Sequence, residues 1–104
     1  MGEVVWTEAA LDDVQEIVRF VSKNSPGYAA QLGARFGDAT RILRDEPRTG
    51  WQLPELDVDE VRELLVRPYR LVYVIREHTC HVAAVLHASR DITRVLRQRG
   101  IGRK

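Results

Sequence analysis

Apolar positions recur in two rhythms along this chain of 104 residues, and the change between them divides it. From Ala10 through Val14, Ile17 and Val21, with Leu11 and Val18 beside them, the spacing is helical, and Asp12, Asp13, Glu16, Arg19 and Lys23 take the other side. This predicts an amphipathic helix over roughly residues 8 to 23. Thr7 precedes it as an N-cap, its hydroxyl placed to accept from the first free backbone N–H groups. Glu8, Asp12 and Asp13 suit the positive end of its dipole. Asn24-Ser25-Pro26-Gly27 ends it and starts a second helix, Pro26 fitting the first helical position because its missing N–H costs nothing there. Ala29, Leu32, Phe36, Ala39 and Leu43 form the second stripe, with Ile42 beside it, and the helix stops before Pro47. A short link between two helices predicts an antiparallel hairpin. Gly33 and Gly37 weaken the second helix, so close approach to the first helix or to a sheet is their expected use.

The second rhythm fills residues 61–91. Val61 to Val66, Tyr69 to Arg76 and Cys80 to Ala88 are β-branched, apolar segments parted by Arg67-Pro68 and by Glu77-His78-Thr79, which predicts a strand meander. Glu3 to Trp6 is a short extended run, and Trp51 to Asp59 is an irregular acidic connection. Asp91 or Ser89 can cap a last short helix, Ile92 to Arg99, and the tail 100–104 is expected to fray. The predicted class is α+β. An N-terminal strand precedes an antiparallel helical hairpin, which packs on one face of a small, mainly antiparallel sheet, and a short C-terminal helix follows. The opposite sheet face is expected to stay open. A chain of this length fits one domain over residues 1–104.

Residues two apart share a face of a strand. Arg70, Val72, Val74 and Arg76 therefore oppose Tyr69, Leu71, Tyr73 and Ile75, while His81, Ala83, Val85 and His87 oppose Val82, Ala84, Leu86 and Ala88. Arg70 and His87 then lie near facing ends of antiparallel neighbours, within reach of each other across the ladder, and Arg62 can reach the same edge. Trp6 and Trp51, each isolated, are expected in the core or as lids.

Charge sharpens this picture. The formal net charge is only +1, but residues 1–59 carry 6 Lys+Arg against 11 Asp+Glu, a balance of −5, and residues 60–104 carry 10 against 4, a balance of +6. A cationic C-terminal half attracts polyanions, either nucleic acid or an acidic protein segment. The single Cys80 sits in an apolar run and is expected to be a small buried hydrophobe in a reducing compartment. No apolar run approaches a membrane span, and Met-Gly-Glu-Val-Val-Trp lacks a signal-peptide pattern, so the expected location is cytoplasmic.

An arginine cluster beside a histidine suits a polyphosphate, since guanidinium forks bind phosphate and an imidazole exchanges protons near neutral pH. Cleaving RNA through its own 2′-hydroxyl needs a base, an acid and cationic stabilisation. Arg70, His87 and Arg90 fill part of that list; the plainer alternative is a strand-end histidine among edge charges that deter sheet-to-sheet pairing. His78, His81 and His87 with Cys80 have no metal-ligand spacing, and no phosphate loop, nucleophile elbow or dinucleotide fingerprint occurs. No metal or cofactor is expected.

Several pieces in order carry a resemblance: V-W-T-E-A-A-L-D-D-V-Q-E-I, then Ser25-Pro26 with Ala29 and Ala30, then L-R-D-E-P-R-T-G, V-R-E-L-L-V, Y-R-L-V-Y-V-I and V-L-H-A-S-R-D. Together, over about residues 4–91, the chain resembles the RelE and ParE toxin superfamily of bacterial type II toxin-antitoxin pairs. The resemblance implies a small growth inhibitor neutralised by a cognate acidic antitoxin that wraps the toxin in a hetero-oligomer. It also implies one of two activities. ParE-like members poison DNA gyrase; RelE-like members are ribosome-dependent mRNA endonucleases, for which Arg70, Arg90 and His87 match basic or histidine positions. Lys23 and Lys104 are the only lysines and no tyrosine follows Tyr73, so the lysine-rich loop and late tyrosine of the RelE pattern are missing, and the ParE-like branch is favoured. A third possibility is a non-toxic interaction module of the same fold. Partner contacts are expected at Arg62, Arg94, Arg97 and Arg99, with Arg103 and Lys104 extending that basic tail.

Overall fold

A computed structural model describes residues 2–102, so the Arg103 and Lys104 end of the basic tail lies outside the described residues. The chain runs β1 (Glu3–Trp6), α1 (Glu8–Ser22), α2 (Pro26–Thr40), a short 3₁₀ turn (Arg41–Arg44), β2 (Trp51–Gln52), β3 (Val61–Val66), β4 (Tyr69–Arg76), β5 (Thr79–His87) and α3 (Ile92–Arg99). The strands form one sheet in the order β1-β5-β4-β3-β2, with β1 parallel to β5 and every other pair antiparallel. The predicted class and order of elements are the observed ones, except that Trp51–Gln52, expected in an irregular connection, forms an edge strand. No helix among the described residues is long and apolar enough to cross a membrane.

The expected caps form where the sequence places them. Thr7 Oγ1 accepts from Ala10 N at 3.2 Å and donates to Val82 O at 2.9 Å, so the same hydroxyl starts α1 and ties it to β5. Asp91 caps α3, and Gly100 closes it in the left-handed region at φ 65°. Ser25 occupies the N-cap of α2 without a side-chain cap bond. A Cβ on Gly33 would stand 4.0 Å from Val18 of α1, an ordinary van der Waals distance, and one on Gly37 would meet nothing within 4 Å, so neither glycine shows the close approach expected of both.

Leu32, Phe36 and Leu43 of the second helical segment and Ala10 of α1 pack on Leu71, Tyr73, Ile75, Cys80, Val82 and Val85. Cys80 is buried there, as expected, and burial pushes its thiol pKa up. The fully buried Tyr73 donates its hydroxyl hydrogen to Pro47 O at 2.6 Å and accepts from Gly50 N at 2.9 Å, which fastens the turn before β2 to the sheet. A Cβ on Gly50 would stand 2.6 Å from Glu63 O, so the position excludes a side chain.

The opposite face is not open. Ile92, Val95 and Leu96 of α3, with Leu53, Leu56 and Val58 of the irregular connection, cover Val61, Val72, Val74, Ala84 and Leu86. The few apolar residues of α3 form one stripe, and burying it requires the face left by the hairpin. Trp51 is also not in the core: it is 73% exposed, because β2 is a two-residue edge strand with nothing packed beyond it. Trp6 packs, half-buried, against the hairpin side.

Candidate functional site

A β-bulge decides where the histidine points. Val72 pairs with Ala84 but Tyr73 pairs with Val82, so Ala83 is an extra residue in β5. An extra residue held out of the ladder shifts the odd–even count of faces for everything beyond it. Val82 and Val85 consequently share the hairpin face, Ala84 and Leu86 share the α3 face, and strict alternation through β5 fails. His87 pairs with Tyr69, whose ring it meets edge to face at 5.7 Å, and Tyr69 in turn meets Phe36 at 5.5 Å.

His87 therefore opens toward α1. With Arg90, Tyr69 and Val85 it lines a groove of about 380 Å³ whose other wall is Asp13, Glu16, Ile17 and the exposed Phe20. Nδ1 of His87 accepts from Ser89 N at 3.1 Å and lies 2.8 Å from Ser89 Oγ. A nitrogen that accepts a backbone N–H carries no proton, so this hydrogen-bonding pattern assigns the neutral tautomer with its hydrogen on Nε2. Asp13 is committed elsewhere: it accepts from Val85 N at 2.9 Å and from both terminal nitrogens of Arg99 at 2.7 Å.

Arg70 is on the other face, correcting the expectation that it meets His87 across the ladder. It pairs with Leu65 and Leu86, and its guanidinium turns toward the connection before β3. There it holds Glu55 in a two-pronged contact at 2.8 Å and 2.8 Å, and Glu63 at 2.6 Å and 3.2 Å. The side chains of Arg70 and Glu63 are only 12% and 8% exposed. The two carboxylates raise the Arg70 pKa further, and Arg70 holds the Glu55 carboxyl below its ordinary value of 4.5. A carboxyl with a depressed folded-state pKa contributes stability that is complete above the unfolded value and lost as pH falls through the folded one. Thermal melting followed from neutral pH into the acid range is expected to show Glu55→Gln flattening the loss below 4.5 relative to the parent protein; identical acid limbs refute the contribution.

Of the residues expected to meet a partner, Arg62 and Arg99 are internally engaged. Arg62 does not reach the Arg70 edge; it binds Asp59 Oδ1 at 2.6 Å, Asp59 O at 3.0 Å and Gly50 O at 2.9 Å. With Arg48, which also contacts Asp59, it lowers the Asp59 pKa. Arg99 joins α3 to Asp13 of α1 and to the bulge carbonyl of Ala83 at 3.0 Å. Arg94 and Arg97 are exposed, and neither has a carboxylate partner among the described residues.

Sequence reasoning missed Glu55 and Glu63. Glu63 was within its reach: the two-residue turn Arg67-Pro68 sets Val66 opposite Tyr69, which puts Glu63 opposite Val72 and one diagonal step from Arg70. Glu55 gave no such signal, since it lies on the irregular connection.

Against known proteins, residues 4–92 match the family model described as the ParE toxin of the type II toxin-antitoxin system, parDE. Toxin RelE2 of Caulobacter vibrioides is 32% identical over 91 residues, covering 86% of this chain and 99% of that one. A solved chain from the chromosomal ParDE toxin-antitoxin system of Pseudomonas aeruginosa superimposes with a TM-score of 0.70 at 20% identity, covering 84% of this chain and 96% of that one. At that identity the superposition speaks for the fold.

Proposed function

Because the chain belongs to the family of ParE toxins of type II toxin-antitoxin systems, we propose that it inhibits growth in the cytoplasm by binding and poisoning DNA gyrase, and that a cognate acidic antitoxin neutralises it in a hetero-oligomer. The observation that supports a protein target is the separation of Arg70 from His87 by the sheet. Cleavage of RNA through its 2′-hydroxyl needs base, acid and cation around one phosphate. Arg70 faces away from the histidine and is already held by two carboxylates, which a phosphate would have to displace. A toxin that acts by occupying another protein needs no such constellation.

A second reading is favoured by one pair of residues. His87 and Arg90 line a common groove, and the Caulobacter relative carries the name Toxin RelE2, so ribosome-dependent mRNA cleavage from that groove is the competing activity. The two separate in parallel assays. Purified protein is expected to block supercoiling by purified gyrase and to leave ribosome-bound message intact. Normal supercoiling at saturating protein overturns the gyrase reading; cleaved message that His87→Ala leaves whole establishes the other. Harmless expression without antitoxin, with both assays negative, makes the chain a non-toxic interaction module.

A further inference from the structure

The cations at the C-terminal end differ in what they do for the fold. Arg99 is bound to Asp13 and Ala83, and Arg70 and Arg62 are similarly held. Arg90, Arg94 and Arg97, which follow one another from the bend after β5 along α3, are exposed and have no carboxylate partner among the described residues. Two of them line a second groove, of about 380 Å³, formed by Arg90, Asp91, Arg94, Val95 and Gln98. Arg90 also lines the His87 groove, so it stands on the ridge between the two.

Arg97, in the last turn, suits the helix dipole, but the position of Arg94 is unfavourable for the helix itself. Asp91 is the N-cap and its carboxylate accepts from Arg94 N at 3.3 Å, which makes Arg94 the third residue of α3. That position favours glutamate, which reaches back to the cap, and the positive end of the helix dipole repels a cation. Helix stability therefore gives no reason for arginine there. The platform beneath is fixed: Ile92, Val95 and Leu96 are buried against the sheet, and the Arg99–Asp13 pair ties the end of α3 to α1.

We propose that Arg90, Arg94 and Arg97 form the docking site for an acidic segment of a protein partner, whose aspartate and glutamate side chains pair with the three guanidinium groups. The proposal rests on the reading that an acidic partner protein neutralises this chain, and it assigns that partner a place. A peptide suits the surface better than a nucleic acid. Single-stranded nucleic-acid sites combine basic grooves with aromatic stacking platforms; Phe20 shares the His87 groove with Arg90, but no aromatic among the described residues lines the groove of Arg90 and Arg94.

The test uses the full chain and two fluorescent probes, a short peptide of alternating glutamate and alanine and an oligothymidylate of matched length, titrated by anisotropy at low and at physiological salt. The parent protein is expected to bind the peptide more tightly than the oligothymidylate, with affinity that falls as salt rises. R94E/R97E is expected to lose peptide affinity by about tenfold or more, and R94Q/R97Q by less. R44E/R76E reverses two exposed arginines that have no carboxylate partner among the described residues and lie near the opposite end of the sheet; it makes the same change in net charge and is expected to stay within about twofold of the parent. Because R94E places a carboxylate at the favoured position of α3 while R97E places one in its last turn, the two effects oppose and the R94E/R97E melting temperature is expected to stay near that of the parent. Absent peptide binding by the parent, unchanged binding in R94E/R97E, an equal loss in R44E/R76E, or tighter binding of the oligothymidylate overturns the assignment. The supercoiling assay is independent of these outcomes: a failed docking site leaves gyrase inhibition standing, and a failed gyrase assay leaves peptide binding as measured.

Discussion

Arg70→Ala is expected to destabilise the protein by about 3–5 kcal/mol, because it leaves the buried carboxylate of Glu63 without its cation. Glu63 is 6% exposed, and its hydrogen bonds to Arg70 run at 2.6 Å and 3.2 Å. For a domain of this size such a loss lowers the melting temperature by on the order of 15 °C or more. Loss of toxicity in this variant would therefore not identify Arg70 as a catalytic residue. The variant that separates the explanations is R70M/E63L, which replaces both buried charges with apolar groups of similar length and frees Glu55 to meet solvent. Exchange of a buried pair for apolar residues is often neutral or stabilising, so R70M/E63L is expected to recover most of the melting temperature. If its toxicity returns as well, the arginine serves the fold. If it melts like the parent but stays inactive, Arg70 has a direct role in action. A melting temperature for Arg70→Ala within a degree or two of the parent would show that the cluster contributes little.

Leu32→Asp is expected to abolish cooperative folding. Leu32 is fully buried in the hairpin-side core with Phe36 and Leu43. Truncating a buried leucine alone costs about 2–5 kcal/mol, and the carboxyl adds the penalty of an unpaired polar group in an apolar site. Their sum approaches or exceeds the whole stability of a domain, about 5–15 kcal/mol. The matched control is Leu11→Asp, on the exposed side of the same hairpin at 48% exposure, which is expected to cost less than about 1 kcal/mol. Circular dichroism melting distinguishes them directly, and a cooperative melt for Leu32→Asp near that of the parent would mean that the hairpin is not packed on the sheet as described.

The two helices and the long strands were legible because their apolar spacing is unambiguous and because Thr7, Pro26 and Asp91 punctuate them. The covering of the second sheet face was less so. Leu53, Leu56 and Val58 are scattered through an acidic connection, and their burial follows only once α3 is seen to leave space beside it. Trp51 misleads for a related reason: a large aromatic suggests a core, but an edge strand of two residues offers none. Of the candidate site, the grouping of His87 with Arg90 follows from their closeness in the chain, whereas the parting of His87 from Arg70 depends on Ala83 standing outside the ladder. Two adjacent alanines fit either face, so the pattern of Cys80 to His87 carries no mark of the extra residue.

That extra residue bears on how members of this family are compared. A relative whose last strand has the same number of residues but pairs in unbroken alternation would turn a histidine aligned with His87 toward the C-terminal helix, onto the side where Arg70 lies, whereas a relative that simply lacks Ala83 would keep it on the hairpin side. Identity of residue type at this position is thus a poor guide to shared activity, and whether the bulge is present is more informative than many substitutions. Sorting relatives by how this strand pairs with its neighbour, before sorting them by which side chains they retain, groups chains that present the same chemistry to the same surroundings.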